Sequence, residues 1–187
     1  MSDSPEEMAV GVDGRVDHHG EELPQLTRRS ANLDVERLLR MHHPDFSGEH
    51  PASPVIYTLF TTILSIGVRQ QFSSYLVTGL ERVRTDVGAM FLGWHTNGLI
   101  DAAVVVEPSP KRFVFAGRHD MLTGSVIGWW GRRLGVQPLL RQAERLRGGV
   151  DEETAAAINS ASMLTVAAKL AHGHAATLFP EGHSHNE

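Results

Sequence analysis

His95 stands just past an apolar run, Ala89-Met-Phe-Leu-Gly93, and Asp101 follows it six positions later. An imidazole with an ordinary pKa of about 6.5 is largely neutral at pH 7 and takes a proton from an alcohol as its oxygen bonds to carbon. A carboxylate that accepts the other ring N–H orients such a base and stabilises the imidazolium that forms. A second apolar run, residues 175–179, leads into Phe179-Pro180-Glu181-Gly182. Pro180 fixes one dihedral there and Gly182 permits a positive one, so the turn presents Glu181 and nearby backbone N–H groups outward. Each segment alone has an ordinary reading: a structural His, an Asp that favours a helix start, a strand-ending turn. Together they predict an enzyme that acts on a hydroxyl.

The elements that must carry these groups follow from patterning. Residues 74–78, 89–93, 112–116, 136–140 and 175–179 read as short strands. Residues 97–106 predict a helix capped by Asn97 and closed before Pro108, which puts Asp101 in its first turn. Residues 123–134 read as a helix with Val126, Ile127, Trp130 and Leu134 on one face and Gly135 as its stop. Residues 151–170 open with acids and become Ala-rich, predicting a long, closely packed helix. Strand and helix alternate, so the expected class is α/β, a mixed, largely buried sheet with flanking helices.

Residues 1–53 are rich in Asp, Glu, His, Gly and Pro and predict a polar, mobile arm with one short helix near 34–41. The functional domain is expected over 54–187. Its first segment, 54–69, is the most apolar, with Pro54 suited to a first helical turn. At about 14 apolar residues it is shorter than the roughly 20 a membrane-spanning helix needs. A buried core helix and a helix lying in a membrane interface both remain open readings.

The chain has 187 residues, a formal net charge of -5 and no cysteine. No overall basic field exists to attract nucleic acid, and disulfides, thiolate zinc sites and a cysteine nucleophile are all excluded. Pairs such as His172/His174 and His183/His185 lack a zinc-ligand spacing and read as solvated or turn histidines, so no metal is expected. The acidic start shows no secretory signal. Arg132-Arg133 and the basic stretch 141–147 read either as a solvated face or as attraction to anionic headgroups or CoA phosphates.

Four segments taken in order resemble the glycerolipid acyltransferases of the 1-acylglycerol-3-phosphate (lysophosphatidate) type. They are Val77-Thr-Gly-Leu-Glu81, the block from His95 to Asp101, the stretch 115–141 ending in Pro138-Leu-Leu-Arg141, and Leu178-Phe-Pro-Glu-Gly182. The resemblance implies transfer of a fatty acyl group from acyl-CoA or acyl carrier protein to glycerol 3-phosphate or its monoacylated form, in phospholipid synthesis. His95 would be the general base and Asp101 its orienter, while Arg141, Glu181 and Gly182 would position the acceptor. It implies no cofactor, the acyl donor being a substrate, and a peripheral or monotopic place on the cytoplasmic side of the membrane. Five residues separate His95 from Asp101 where the family commonly has four, and His183-Ser184-His185 replaces a usual Thr-Arg. Because the family normally continues with more sheet and helix, the chain is expected to be C-terminally incomplete and weakly active alone. The alternative is a non-catalytic lipid-binding remnant of that family.

Overall fold

The computed structural model describes residues 35–41, 43–94, 98–122, 126–140 and 150–179. A short helix α1 (Val35–Met41) is followed by α2 (Pro54–Gln71), whose start is fixed by its own residues. Ser53 caps it through a hydroxyl that accepts from the Ile56 N–H at 3.4 Å, and Pro54, which has no N–H to satisfy, fills the first turn. Ile56, Tyr57 and Phe60 pack on Ala52, Leu134 and Val136. The opposite face leaves Val55, Leu59, Ile63 and Ile66 exposed, so α2 is half core and half apolar surface.

The α/β class read from the alternation is the observed one. Strand β1 (Ala89–Leu92) leads to helix α3 (Gly98–Val106), and β2 (Ala116–Arg118) to a 3-10 turn (His119–Leu122) and helix α4 (Val126–Leu134). Then come β3 (Gln137–Leu139), α5 (Glu152–Ala171) and β4 (Ala175–Leu178). Gly135, at φ 66°, ends α4 as expected, and Asp151 caps α5 by accepting from the Thr154 N–H at 2.8 Å.

Both strand pairs are parallel. β1 pairs with β4 from Ala89↔Ala175 to Leu92↔Leu178, and β2 with β3 from Ala116↔Gln137 to Arg118↔Leu139. The segment 113–115 links them: Phe113 bridges Ala175 in parallel, and the Gln137 N–H donates to the Phe115 carbonyl at 2.8 Å. Every strand therefore points its carboxyl end the same way. Helices cover both faces, as parallel strands require. Val105 and Val106 of α3 pack on Phe91, Phe113 and Ala175, while Val166 and Leu170 of α5 pack on Val114, Ala116 and Ala176. Phe113 is fully buried, which stabilises the fold by about 2–3 kcal/mol.

Residues 43–53 run over this framework and bind it tightly. Lys169, a fully buried cation on α5, reaches Asp45 Oδ2 at 2.6 Å, the Ser47 carbonyl at 2.8 Å and Ser47 Oγ at 2.9 Å. All three ammonium donors are thereby used. The Phe113 N–H and carbonyl are satisfied by side chains in place of a strand: the N–H donates to the Tyr57 hydroxyl and the carbonyl lies 2.8 Å from His50 Nε2. His50 Nδ1 accepts from the Ala52 N–H at 3.0 Å, which makes Nε2 the protonated nitrogen. Arg112 stacks over Tyr57 and donates to the Ala52 carbonyl, closing the cluster.

Three expectations are corrected. Residues 74–78 form no strand; they run as exposed chain, anchored where the Tyr75 hydroxyl donates to Glu107. The strand expected at 112–116 is a single bridge at Phe113 that becomes regular only from Ala116. On α4 the buried side is Gly128, Gly131 and Leu134, with Val126 and Ile127 facing solvent, because the glycines allow the helix to press its backbone onto the 3-10 turn.

Candidate active site

The described residues give the roots of the site's loops. β1 ends at Leu92, three positions before His95, and β4 at Leu178, three before Glu181. Past the last register pair, the Gly93 N–H donates to the Leu178 carbonyl at 3.3 Å, so pairing continues into both loop roots. A Cβ on Gly93 would sit 3.3 Å from Phe179 Cε1; the ring covers the backbone where a side chain would stand. Of the five predicted site residues, His95, Arg141, Glu181 and Gly182 lie outside the described residues. Asp101 is described, half-buried in the first turn of α3 as the sequence reading expects.

The residue before Arg141 is held differently. The Leu140 N–H donates to Asn159 Oδ1 at 2.8 Å, and Asn159 Nδ2 donates to the Leu140 carbonyl at 2.9 Å. One amide side chain on α5 thus satisfies both backbone groups of the residue before Arg141, like a neighbouring strand. Ser162 Oγ, one turn on, donates to the Pro138 carbonyl at 2.5 Å. β3 is therefore anchored to α5 immediately ahead of the candidate arginine.

Loops leaving the carboxyl ends of parallel strands are where α/β proteins collect reactive groups, since helix starts there also supply free N–H donors. β1, β3 and β4 end at one edge, and α3 begins at the same edge with Asp101 in its first turn. His119, buried at the end of β2, stands on that edge too and was not singled out by the sequence reading. Nor were Gly93 and Asn159. Gly93 carries a faint signal, a glycine ahead of His95; Asn159 carries none, being one polar residue in an Ala-rich helix.

These features define an α/β protein whose candidate chemistry lies beyond the carboxyl ends of its strands. The chain belongs to the Acyltransferase family, whose model matches residues 74–187. The match takes in all the strands, α3, α4 and α5, and leaves α1 and α2 outside it. Its activity class is accordingly acyl transfer. No curated protein and no solved structure matches the chain.

Proposed function

We propose that the protein is an O-acyltransferase that moves a fatty acyl group from acyl-CoA, or acyl carrier protein, to a hydroxyl of glycerol 3-phosphate or 1-acylglycerol 3-phosphate in phospholipid synthesis. His95 accepts the hydroxyl proton as the oxygen attacks the thioester carbon; the new C–O bond forms, the C–S bond breaks, and the imidazolium returns its proton to the departing thiolate. Asp101 orients the ring and stabilises its cationic form. Arg141 offers a guanidinium fork to the acceptor's phosphate, with Glu181 and the turn at Gly182 positioning its glycerol. The donor thioester is already activated, so neither a covalent intermediate nor a cofactor is called for.

The observation that carries this reading is the parallel pairing of β1 with β4 through to Gly93 and Leu178, which roots the His95 and Glu181 loops side by side. A peripheral place on the cytoplasmic face of a membrane belongs to the same reading, and the uncharged exposed stripe Val55, Leu59, Ile63 and Ile66 supports it. No helix among the described residues is long and apolar enough to cross a membrane. The test is CoA release with each acceptor: His95→Ala is expected to lower kcat by about 10²–10⁴-fold. Unchanged turnover in that variant would remove His95 from the chemistry.

A further inference from the structure

Helix α4 is built inside out. Its buried side is Gly128 and Gly131 with Leu134, and a Cβ on Gly128 would come 2.8 Å from the Leu122 carbonyl oxygen, so small residues are required where α4 meets the 3-10 turn. Leu134 and Trp130 pack on the core, but three other large apolar side chains face outward: Val126 is 70 % exposed, Ile127 61 % and Trp129 40 %. Leu134 and Trp130 hold the helix to the fold, while the exposed valine, isoleucine and tryptophan gain only when something covers them.

The charges beside that face say what covers it. Arg133 lies over the Trp129 ring, 5.3 Å from its centroid, and Arg132 Nη1 donates to the Leu122 carbonyl while the side chain stays exposed. Among the described residues neither guanidinium pairs with a carboxylate. On a chain with a net charge of -5, these two form a local patch of opposite sign. Aliphatic side chains, an amphipathic indole and exposed guanidinium groups on one short helix match the boundary of a bilayer, apolar below and anionic at headgroup level. Another copy of this face fits poorly, since it would bring cations against cations. Phe60 of α2 packs on Trp130 of α4, with ring centroids 5.8 Å apart, and α2 carries exposed Leu59 and Ile63 of its own.

We propose that α4 is an interfacial helix that docks on a bilayer carrying anionic headgroups, with Val126, Ile127 and Trp129 entering the headgroup boundary and Arg132 and Arg133 reading its charge. The proposal rests on the peripheral location given above and adds the contact residues and the lipid class. It is tested with the full chain and no acyl substrate, by co-sedimentation with phosphatidylcholine vesicles with and without phosphatidylglycerol. Binding is expected to rise with phosphatidylglycerol and to fall with salt. Arg132→Gln with Arg133→Gln should bind the anionic vesicles about 10- to 30-fold more weakly, and Arg132→Lys with Arg133→Lys should recover most of the loss. Val126→Ser with Ile127→Ser should weaken binding to both vesicle types, circular dichroism confirming that each variant is folded. Equal binding to the two vesicle types, wild-type binding by the glutamine pair, or a dimer in vesicle-free size exclusion that Ile127→Ser dissociates would each overturn it. Failure of the catalytic reading is distinct: His95→Ala would keep its turnover while the vesicle results stood.

Discussion

The Gly93 N–H donates to the Leu178 carbonyl, and the Phe179 ring lies across Gly93 where a side chain would otherwise stand. Two loops that meet nowhere in sequence are thus joined at their roots by one hydrogen bond and one ring contact. The bond sets their spacing along the strands, and the ring sets how closely the chains approach.

Gly93→Ala is expected to disturb this junction. The new methyl would press on Phe179 at 3.3 Å, a mild overpacking that costs about 1 kcal/mol and lowers the melting midpoint by roughly 2–4 °C. Turnover should fall more than stability does, because the displaced ring belongs to the Glu181 loop. Combining Gly93→Ala with Phe179→Leu makes room for the methyl and should recover part of kcat. If the double variant is as slow as Phe179→Leu and Gly93→Ala multiplied together, the two residues do not act through one contact.

Asn159→Leu removes the partner of both Leu140 backbone groups. Thermal and urea unfolding should show a loss of about 2–3 kcal/mol, since the freed donor and acceptor are partly buried. On the proposed role of Arg141 as the acceptor's phosphate contact, KM for the acceptor should rise while kcat changes less. A pure stability loss with unaltered KM would separate Asn159 from the site.

The Lys169–Asp45 pair should respond asymmetrically. Lys169 is fully buried and Asp45 side-chain exposure is 49 %, so Asp45→Ala strands a buried cation whereas Lys169→Met leaves a carboxylate that water can reach. Urea denaturation should therefore show the larger loss for Asp45→Ala. The Lys169 ammonium and the Ser47 groups hold the Asp45 carboxyl at about 2, below its ordinary 3.8. Its stabilisation is present above pH 3.8 and is lost as pH falls from there towards 2; in Asp45→Asn that part of the melting profile should flatten.

His50 acts at higher pH. Burial, with Arg112 close by, pushes its pKa below the ordinary 6.5, against the opposing hydrogen bonds to Phe113 and Ala52. Its Nδ1 must stay unprotonated to accept the Ala52 N–H. The unfolded chain takes up a proton near pH 6.5 and the folded one does not, so stability falls as pH drops below 6.5 and levels off below the folded value. Melting midpoints of the wild type and His50→Gln should converge as pH falls from 7 to 5. A constant gap over that range would assign His50 no proton linkage.

Legibility in the sequence followed locality. Helix bounds came within a few residues because Ser53-Pro54, Asp151 and Gly135 are signals each element carries itself. Residues 74–78 were misread as a strand because Tyr75, Val77 and Thr78 have strand propensity, which is not expressed without a neighbouring edge to pair with. The faces of α4 were misread because hydrophobicity alone puts Val126 and Ile127 inside, and only the 3-10 turn at Leu122 makes glycine the residue that fits there. The ties from Asp45, Ser47 and His50 to Lys169, Phe113 and Arg112 join distant residues of ordinary type, which no local pattern announces. The runs before His95 and Glu181 were legible as strands, whereas their pairing side by side in parallel was not.

That adjacency also constrains how the protein comes into being. β1 is made well before its partner β4, which emerges only after β2, β3 and the whole of α5. Among the described strands β1 pairs with β4 alone, so Ala89 and Phe91 cannot complete their packing on Ala175 until residue 178 has cleared the exit tunnel. A pairing of such high contact order forms slowly, which makes the nascent chain a client for chaperones during that interval. The site's edge can assemble only as the last described strand docks, so a ribosome stalled before β4 would hold no working centre.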